Sequence, residues 1–222
     1  MPKAFPLKLV IFDFDGTLVD SRALILQCHR LAFTEFGLPV PSPQDSLALI
    51  GMSLERVLAQ LAGPRAPVQD MVRAYGRILR QLRSEPDFAE RPFDGIATLL
   101  RDLNNAPPVT LGIATGHTSA AVIPALEALG WRQYFRTVQA ADMAPSKPHP
   151  GMLLQALDAT GARAEQAVFI GDTSFDMEMA RAAKLEGIGV TWGYHSADRL
   201  FAAGAHRIAR SVEELRSLLC VH

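Results

Sequence analysis

Cysteine is scarce in this chain: Cys28 and Cys220 are the only two among 222 residues. They lie far apart and form no Cys-x-x-Cys pair, so nothing points to a disulfide scaffold. Cys28 falls in an apolar helical pattern and is expected as a buried thiol. Charge of one sign is equally lacking. Charged residues make up 20% of the chain, the formal net charge is −1, and no long run of either sign occurs. A nucleic-acid footprint would shift that balance, so nucleic acid is not an expected partner. No apolar run is long enough to span a membrane, and the one in Met1-Pro2-Lys3-Ala4-Phe5-Pro6 is too short for a signal peptide. A reducing cytoplasm is the expected setting. Several ligand signatures are missing too. There is no Gly-x-x-x-x-Gly-Lys-Ser/Thr, no strand leading into Gly-x-Gly-x-x-Gly, and no His-Glu-x-x-His. His149 follows Pro148 and is expected in a loop or helix start rather than on zinc.

What is present is apolar and periodic. Hydrophobic residues form 49% of the chain, enough for one large domain or one domain carrying a smaller insert. Lys8 to Phe12 reads as a strand buried on both faces. From about residue 20 to 88 the pattern is helical. Apolar positions Leu24, Cys28, Leu31 and Ala32 mark a helix from Ser21 to Phe36, stopped by Gly37-Leu38-Pro39. Leu47–Leu61 and Val68–Leu82 show similar spacing, and no strand stands out. From about residue 89 helices and strands alternate. Strands are expected at Val109–Ala114, Ala167–Ile170 and Gly187–Thr191, and helices at Ile96–Leu103, Ser119–Leu129, Ser174–Lys184 and Val212–Leu219. Such alternation implies crossovers and a mainly parallel α/β sheet, Rossmann-like in kind. The expected division is a catalytic core of residues 1–19 and 89–222, with 20–88 inserted as a small α-helical cap.

Three strand candidates end in polar clusters: Phe12 into Asp13-Phe14-Asp15, Ala114 into Thr115-Gly116, and Gly171 into Asp172. Ligands of open parallel sheets bind outside the carboxyl ends of the strands, so all three clusters belong to one edge. Asp13, Asp15, Asp172 and Asp176 then surround a site for one hard cation, since grouped carboxylates are costly without one. Thr115 and the Gly116 amide are placed to hold phosphate oxygens. Lys147, in Ser146-Lys147-Pro148, supplies a positive charge near the start of the next helix, which Pro148 favours. Each residue alone has a duller reading. Asp13–Thr17 is a turn sequence, Asp172 suits a helix N-cap, Thr115 a loop, and Lys147 a solvated surface. The joint placement at one edge carries the argument. An EF-hand also opens with Asp-x-Asp, but from Asp13 its glycine comes too early, at Gly16, and its twelfth position is Leu24.

These motifs resemble the haloacid dehalogenase superfamily in its phosphatase branch. The resemblance rests on Asp13-Phe14-Asp15-Gly16-Thr17-Leu18-Val19-Asp20-Ser21, then Thr115-Gly116, Ser146-Lys147-Pro148 and Gly171-Asp172-Thr173-Ser174-Phe175-Asp176. Ile50-Gly51-Met52-Ser53-Leu54 and Thr191-Trp192-Gly193-Tyr194 are similar to the phosphoglycolate phosphatase group. The resemblance implies a magnesium-dependent phosphatase acting on small phosphorylated metabolites, with phosphoglycolate one substrate to consider. Asp13 would attack phosphorus and become a phosphoaspartate. Asp15 would protonate the leaving oxygen and then activate water. Thr115 and the Gly116 amide would bind the phosphoryl group, and Lys147 would offset charge. Asp13, the Asp15 carbonyl and Asp172 would ligate Mg2+, with Asp176 assisting directly or through water. Gly51, Met52 and Ser53 would face the substrate. Many relatives follow the Ser or Thr of the second motif with Asn-Lys or Gly-Lys. This chain has Gly116-His117, and His117 is expected exposed.

Other activities of the superfamily fit less well. A dehalogenase has no use for Asp15. A phosphonatase would use a cap lysine, and Asp20 to Asp87 contains none. A phosphosugar mutase shares all four motifs and stays open, as does a phosphate-sensing regulator without turnover. Oligomeric state is not legible.

Overall fold

The computed structural model describes residues 6–219, and residues 1–5 and 220–222, Cys220 among them, lie outside the described residues. The chain runs β1 (Leu9–Phe12), β2 (Val19–Asp20), then four helices, α1 (Arg22–Glu35), α2 (Pro43–Ala48), α3 (Leu54–Ala62) and α4 (Val68–Leu82), and returns through β3 (Arg91–Pro92). The rest alternates: α5 (Ile96–Asn104), β4 (Thr110–Ala114), α6 (Ser119–Ala128), β5 (Phe135–Gln139), α7 (Gly151–Thr160), β6 (Ala167–Gly171), α8 (Ser174–Ala182), β7 (Glu186–Val190), α9 (Ala197–Ala203), β8 (Arg207–Ala209) and α10 (Val212–Leu218).

Six strands form one parallel sheet in the order β5-β4-β1-β6-β7-β8, the α/β architecture that the alternation implies. Period-two geometry explains why β1 and β6 are apolar throughout. Val10, Phe12, Val168 and Ile170 face one layer, packed with Leu99 and Leu103 of α5 and Leu126 of α6. Leu9, Ile11, Ala167 and Phe169 face the other, against Met152 and Leu153 of α7 and Met179 of α8. Strand β1 lies between β4 and β6, and the chain leaves it toward one side before returning on the other. That is a topological switch point, where an open sheet leaves a cleft beyond its carboxyl edge.

Helices α1 to α4 carry apolar clusters of their own. Leu24, Cys28 and Ala32 of α1 pack on Tyr75, Ile78 and Leu79 of α4. Phe33, Leu58 and Met71 form a second cluster. The helical segment is joined to the sheet through the short antiparallel ribbon of β2 and β3. Cys28 is fully buried, and burial pushes its thiol up to about 12. Among the described residues no helix is long and apolar enough to cross a membrane.

The structure departs from the sequence reading in several places. Leu47–Leu61 is not one helix. Ser42 caps α2 by accepting the Asp45 amide, with Pro43 in the first turn, and the chain then loops through residues 49–53 before α3 begins. Gly51, at φ +102°, breaks the helical path. The helix expected near Pro148 starts three residues later, at Gly151. The N-cap of α8 is Thr173 rather than Asp172, in a reciprocal capping box with Asp176. Strands β2, β3, β5 and β8 and helix α9 are further elements that the sequence pattern does not predict.

Candidate active site

The carboxyl edge of β1, β4 and β6 brings the acidic motifs together. Asp13 follows β1, and its amide donates to the Ile170 carbonyl of β6 at 2.8 Å, which locks the turn to the sheet. Asp172 follows β6, and Asp176 lies in the first turn of α8. Asp13, Asp172 and Asp176 are all buried, with carboxylate oxygens within 4.8 Å of one another. Lys147, fully buried, reaches both Asp13 Oδ1 and Asp176 Oδ1 at 2.7 Å. It is not the solvated lysine of the duller reading. Burial disfavours its ammonium, but the two carboxylates outweigh that and hold its pKa above the usual value.

Three carboxylates against one ammonium leave two negative charges uncompensated. Burial pushes the Asp13 carboxyl up to about 7 in spite of Lys147, with Asp176 and Asp15 adding repulsion. Asp172 is also raised well above the usual carboxylate range, by burial and then by Asp176 and Asp13. The individual oxygens differ. Asp172 accepts from Thr17 Oγ1 and from the Tyr194 amide, each at 2.9 Å. Asp176 Oδ2 accepts from the Thr173 amide at 2.9 Å and hydroxyl at 2.6 Å, while Oδ1 holds Lys147. Asp13 Oδ2 is buried with no hydrogen-bond partner. A deficit of two charges, hard oxygen donors and one orphaned carboxylate oxygen fit a divalent cation such as Mg2+. Close packing fixes the cradle: a Cβ on Gly16, at φ +75°, or on Gly193 would lie 2.3 Å from Asp172 Oδ2.

Asp15 belongs to a separate group. Ser21 Oγ donates to its Oδ1, and His117 Nε2 lies 2.8 Å from its Oδ2. The contact couples the two groups at hydrogen-bond distance, although the Nε2–H is not well aligned on the carboxylate. Burial alone would raise the Asp15 carboxyl, but His117 and then Ser21 outweigh it and hold the group below the usual carboxylate range. The imidazole is shifted the opposite way: burial opposes its charge, and Asp15 prevails. His117 is therefore not the exposed residue expected; its side chain is 13% exposed and stands edge-on to Phe14. Beyond it Arg83 pairs with Glu90 at 2.5 Å and donates to the Ala121 carbonyl at 2.6 Å.

Thr115 is buried after β4, and its hydroxyl accepts the His117 amide at 3.2 Å. Gly116 lies under the loop that joins α2 to α3. A Cβ there would come 2.4 Å from the Met52 carbonyl oxygen. Gly51, Met52 and Gly116 line, together with Asp13, Asp15 and His117, a cavity of about 130 Å3 between α1, α3, α4 and the sheet edge. Ser53 is not part of that lining; its amide donates to Ser146 Oγ at 2.8 Å, next to Lys147. Sequence reasoning missed the His117, Ser146 and Arg83–Glu90 contacts. The departure at Gly116-His117 was the only hint of the first.

Comparison with known proteins agrees with this geometry. Residues 10–190 match the haloacid dehalogenase-like hydrolase family. A probable phosphatase IndB of Dickeya dadantii is 37% identical over 213 residues, covering 93% of this chain and 91% of that one. A phosphoglycolate phosphatase of Escherichia coli is 32% identical over 236 residues, covering 97% and 93%. The solved structure of a haloacid dehalogenase-like family hydrolase from Streptococcus pneumoniae superposes with a TM-score of 0.81 at 28% identity, covering 96% and 98%. The chain belongs to the haloacid dehalogenase-like hydrolase family.

Proposed function

We propose that this protein is a magnesium-dependent phosphatase that hydrolyses small phosphate monoesters through a phosphoaspartate on Asp13. The observation that carries the reading is the buried trio Asp13, Asp172 and Asp176 around Lys147, short of two positive charges beside an apolar cavity. Asp13, the Asp15 carbonyl and Asp172 would hold Mg2+, which when bound neutralises carboxylate and phosphoryl oxygens and so lowers the charge barrier to attack. Asp176 orients Lys147 through Oδ1 and caps α8 through Oδ2, and would assist the cation directly or through water.

In the first step an Asp13 carboxylate oxygen forms a bond to phosphorus as the bond to the ester oxygen breaks. The departing alkoxide takes a proton from the Asp15–His117 pair and leaves as a neutral alcohol. Lys147, Thr115 Oγ1 and the Gly116 amide receive the charge of the phosphoryl oxygens. In the second step the pair accepts a proton from water, whose oxygen attacks phosphorus. The Asp13–phosphorus bond breaks and inorganic phosphate is released. Residues 20–88 serve as a cap that covers the site and contacts the leaving group. A reducing cytoplasm suits the free, buried Cys28.

The reading is tested by phosphate release from alkyl phosphates with Mg2+ and with EDTA, together with rapid-quench trapping of phosphorylated Asp13. Metal-dependent turnover with label on Asp13 is expected. Phosphate binding without turnover or label would favour a regulator, and full activity in a verified metal-free preparation would remove the cation from the mechanism.

A further inference from the structure

The wall of the cavity above Asp13 and Asp15 is built for something other than a second anion. Ile25 of α1, Ile50 and Met52 of the loop, Val57 of α3, and Val72 and Leu79 of α4 make it apolar. Among the described residues no arginine or lysine lines it. Of the cations nearest the sheet edge, Lys147 is engaged by Asp13 and Asp176, and Arg83 by Glu90 and the Ala121 carbonyl, while Arg80 stands outside the lining, behind Gly76. His29, the one ionisable group on the cap side besides Tyr75, is 2% exposed and wedged between Phe33 and Tyr75. Burial pushes its pKa down to about 4, so it brings no positive charge at neutral pH. His117 is on the floor and spent on Asp15.

A substrate carboxylate or second phosphate entering this space would lose its hydration and meet at most neutral polar groups such as His29, with no cation in the lining to offset its charge. An alkyl or aryl group would meet apolar surface instead. Size adds a bound: a dry cavity of about 150 Å3 takes up one benzene molecule, and this one is about 130 Å3.

We propose that the cavity selects phosphomonoesters of small, uncharged, mainly apolar alcohols over esters whose leaving group carries a second negative charge. The leaving group it suits is roughly one six-membered ring or a short branched chain. This rests on the phosphatase reading above and names its substrate class.

The decisive comparison is isobutyl phosphate against phosphoglycolate, which share a heavy-atom skeleton and differ in the charge at its end. With the full chain and Mg2+, kcat/KM is expected to favour isobutyl phosphate by at least about tenfold, although glycolate is the slightly better leaving group. Benzyl phosphate should be at least as good. Titration calorimetry on Asp13→Asn, which lacks the proposed nucleophile, should rank the two ligands in the same order. Equal or better use of phosphoglycolate, or the reverse calorimetric order, overturns the proposal while leaving a phosphatase. No phosphate from any ester and no phosphorylated Asp13 would instead overturn the phosphatase reading, and this one with it. Val72→Arg places a cation in the wall and should raise the phosphoglycolate to isobutyl phosphate ratio about tenfold. An unchanged ratio in a variant of normal Tm also overturns it, and if that variant does not fold the wild-type pair decides.

Discussion

Gly116→Ala tests whether the loop over the site has to be closed for reaction. The added methyl would lie 2.4 Å from the Met52 carbonyl oxygen and 2.9 Å from that of Gly51, and real Cβ atoms essentially never approach within 3.0 Å. Both oxygens are backbone, so no side chain can swing aside. The loop is pinned on either side of the clash. The Ser53 amide donates to Ser146 Oγ at 2.8 Å, and Gly51 packs so tightly on Thr173 that its own Cβ would be 2.8 Å from that hydroxyl oxygen. Relief therefore requires the loop to lift by on the order of 1 Å. Overpacking of this kind costs about 1–3 kcal/mol, and losing the Ser53 hydrogen bond adds about 1 kcal/mol. With about 2 kcal/mol charged to closing the loop, kcat/KM should fall roughly 30-fold.

The substitution keeps the Gly116 amide, so the loss would come from the loop rather than from phosphoryl binding. The assay pairs kcat/KM for benzyl phosphate with hydrogen exchange at the Ser53 amide, which should speed up in the variant. Gly63→Ala serves as the control. Gly63 ends α3 at φ +81° with nothing within 4 Å of its would-be Cβ, so it should lower stability and leave the rate alone. A Gly116→Ala enzyme within twofold of wild type, with Ser53 still protected, would refute the reasoning.

Other outcomes follow from the same contacts. Asp15→Ala should slow the first step on alkyl phosphates by roughly 10²–10⁴. With p-nitrophenyl phosphate, whose leaving group needs little protonation, it should release a burst approaching one per site, and equal slowing of both substrates without a burst would contradict the assigned role. Ca2+ should inhibit, because its larger and looser oxygen shell positions the nucleophile poorly, and comparable rates with Ca2+ and Mg2+ would argue against that. The folded-state pKa of His29 is about 4, below its ordinary 6.5, so the unfolded chain takes up the proton first as pH falls. Its contribution is intact above about pH 6.5 and drains toward pH 4; urea unfolding should show wild type losing about 2 kcal/mol more than His29→Gln between pH 7 and 5, and equal losses would refute it.

Much of the core was readable because β1 and β6 are buried on both faces and each runs directly into an acidic turn. An uninterrupted Leu-Val-Ile-Phe followed by Asp13, or Ala-Val-Phe-Ile-Gly followed by Asp172, has little else to be. Strand β5 escaped because it lies at the sheet edge, and exposed Arg136 interrupts its apolar pattern. Strand β8 is three residues long, and β2 and β3 two each, too short for any period to register. The break at residues 49–53 was hidden because Leu47, Ile50 and Leu54 keep helical spacing across it. The turn is explained by contacts distant in sequence, Gly51 with Thr173, 122 positions later, and the Ser53 amide with Ser146. His117 illustrates the same limit. Its role depends on Asp15, about a hundred residues earlier, and a lone histidine in a loop carries no mark of its partner.

The charges of the site also explain why its apolar wall matters. Asp15 is offset by His117 and Glu90 by Arg83, so the groups at and behind the cavity floor are balanced in pairs. The uncompensated charge lies below them, where Asp13, Asp172 and Asp176 share Lys147. On the proposed reading, charged attraction for a ligand would be concentrated at the phosphoryl end, and the end that the helices cover, lined by apolar groups with neutral His29 and Tyr75, would offer little. A lysine in place of His117 would put a mobile cation at the boundary between the two regions and extend that attraction upward. The imidazole, shorter and held by Asp15, does not. Discrimination among leaving groups then depends on buried area, at about 0.8 kcal/mol per methylene, or roughly fourfold in kcat/KM for each one lost. On the proposed substrate class, charge would act mainly by exclusion, and the apolar helices would set the choice among the esters that remain.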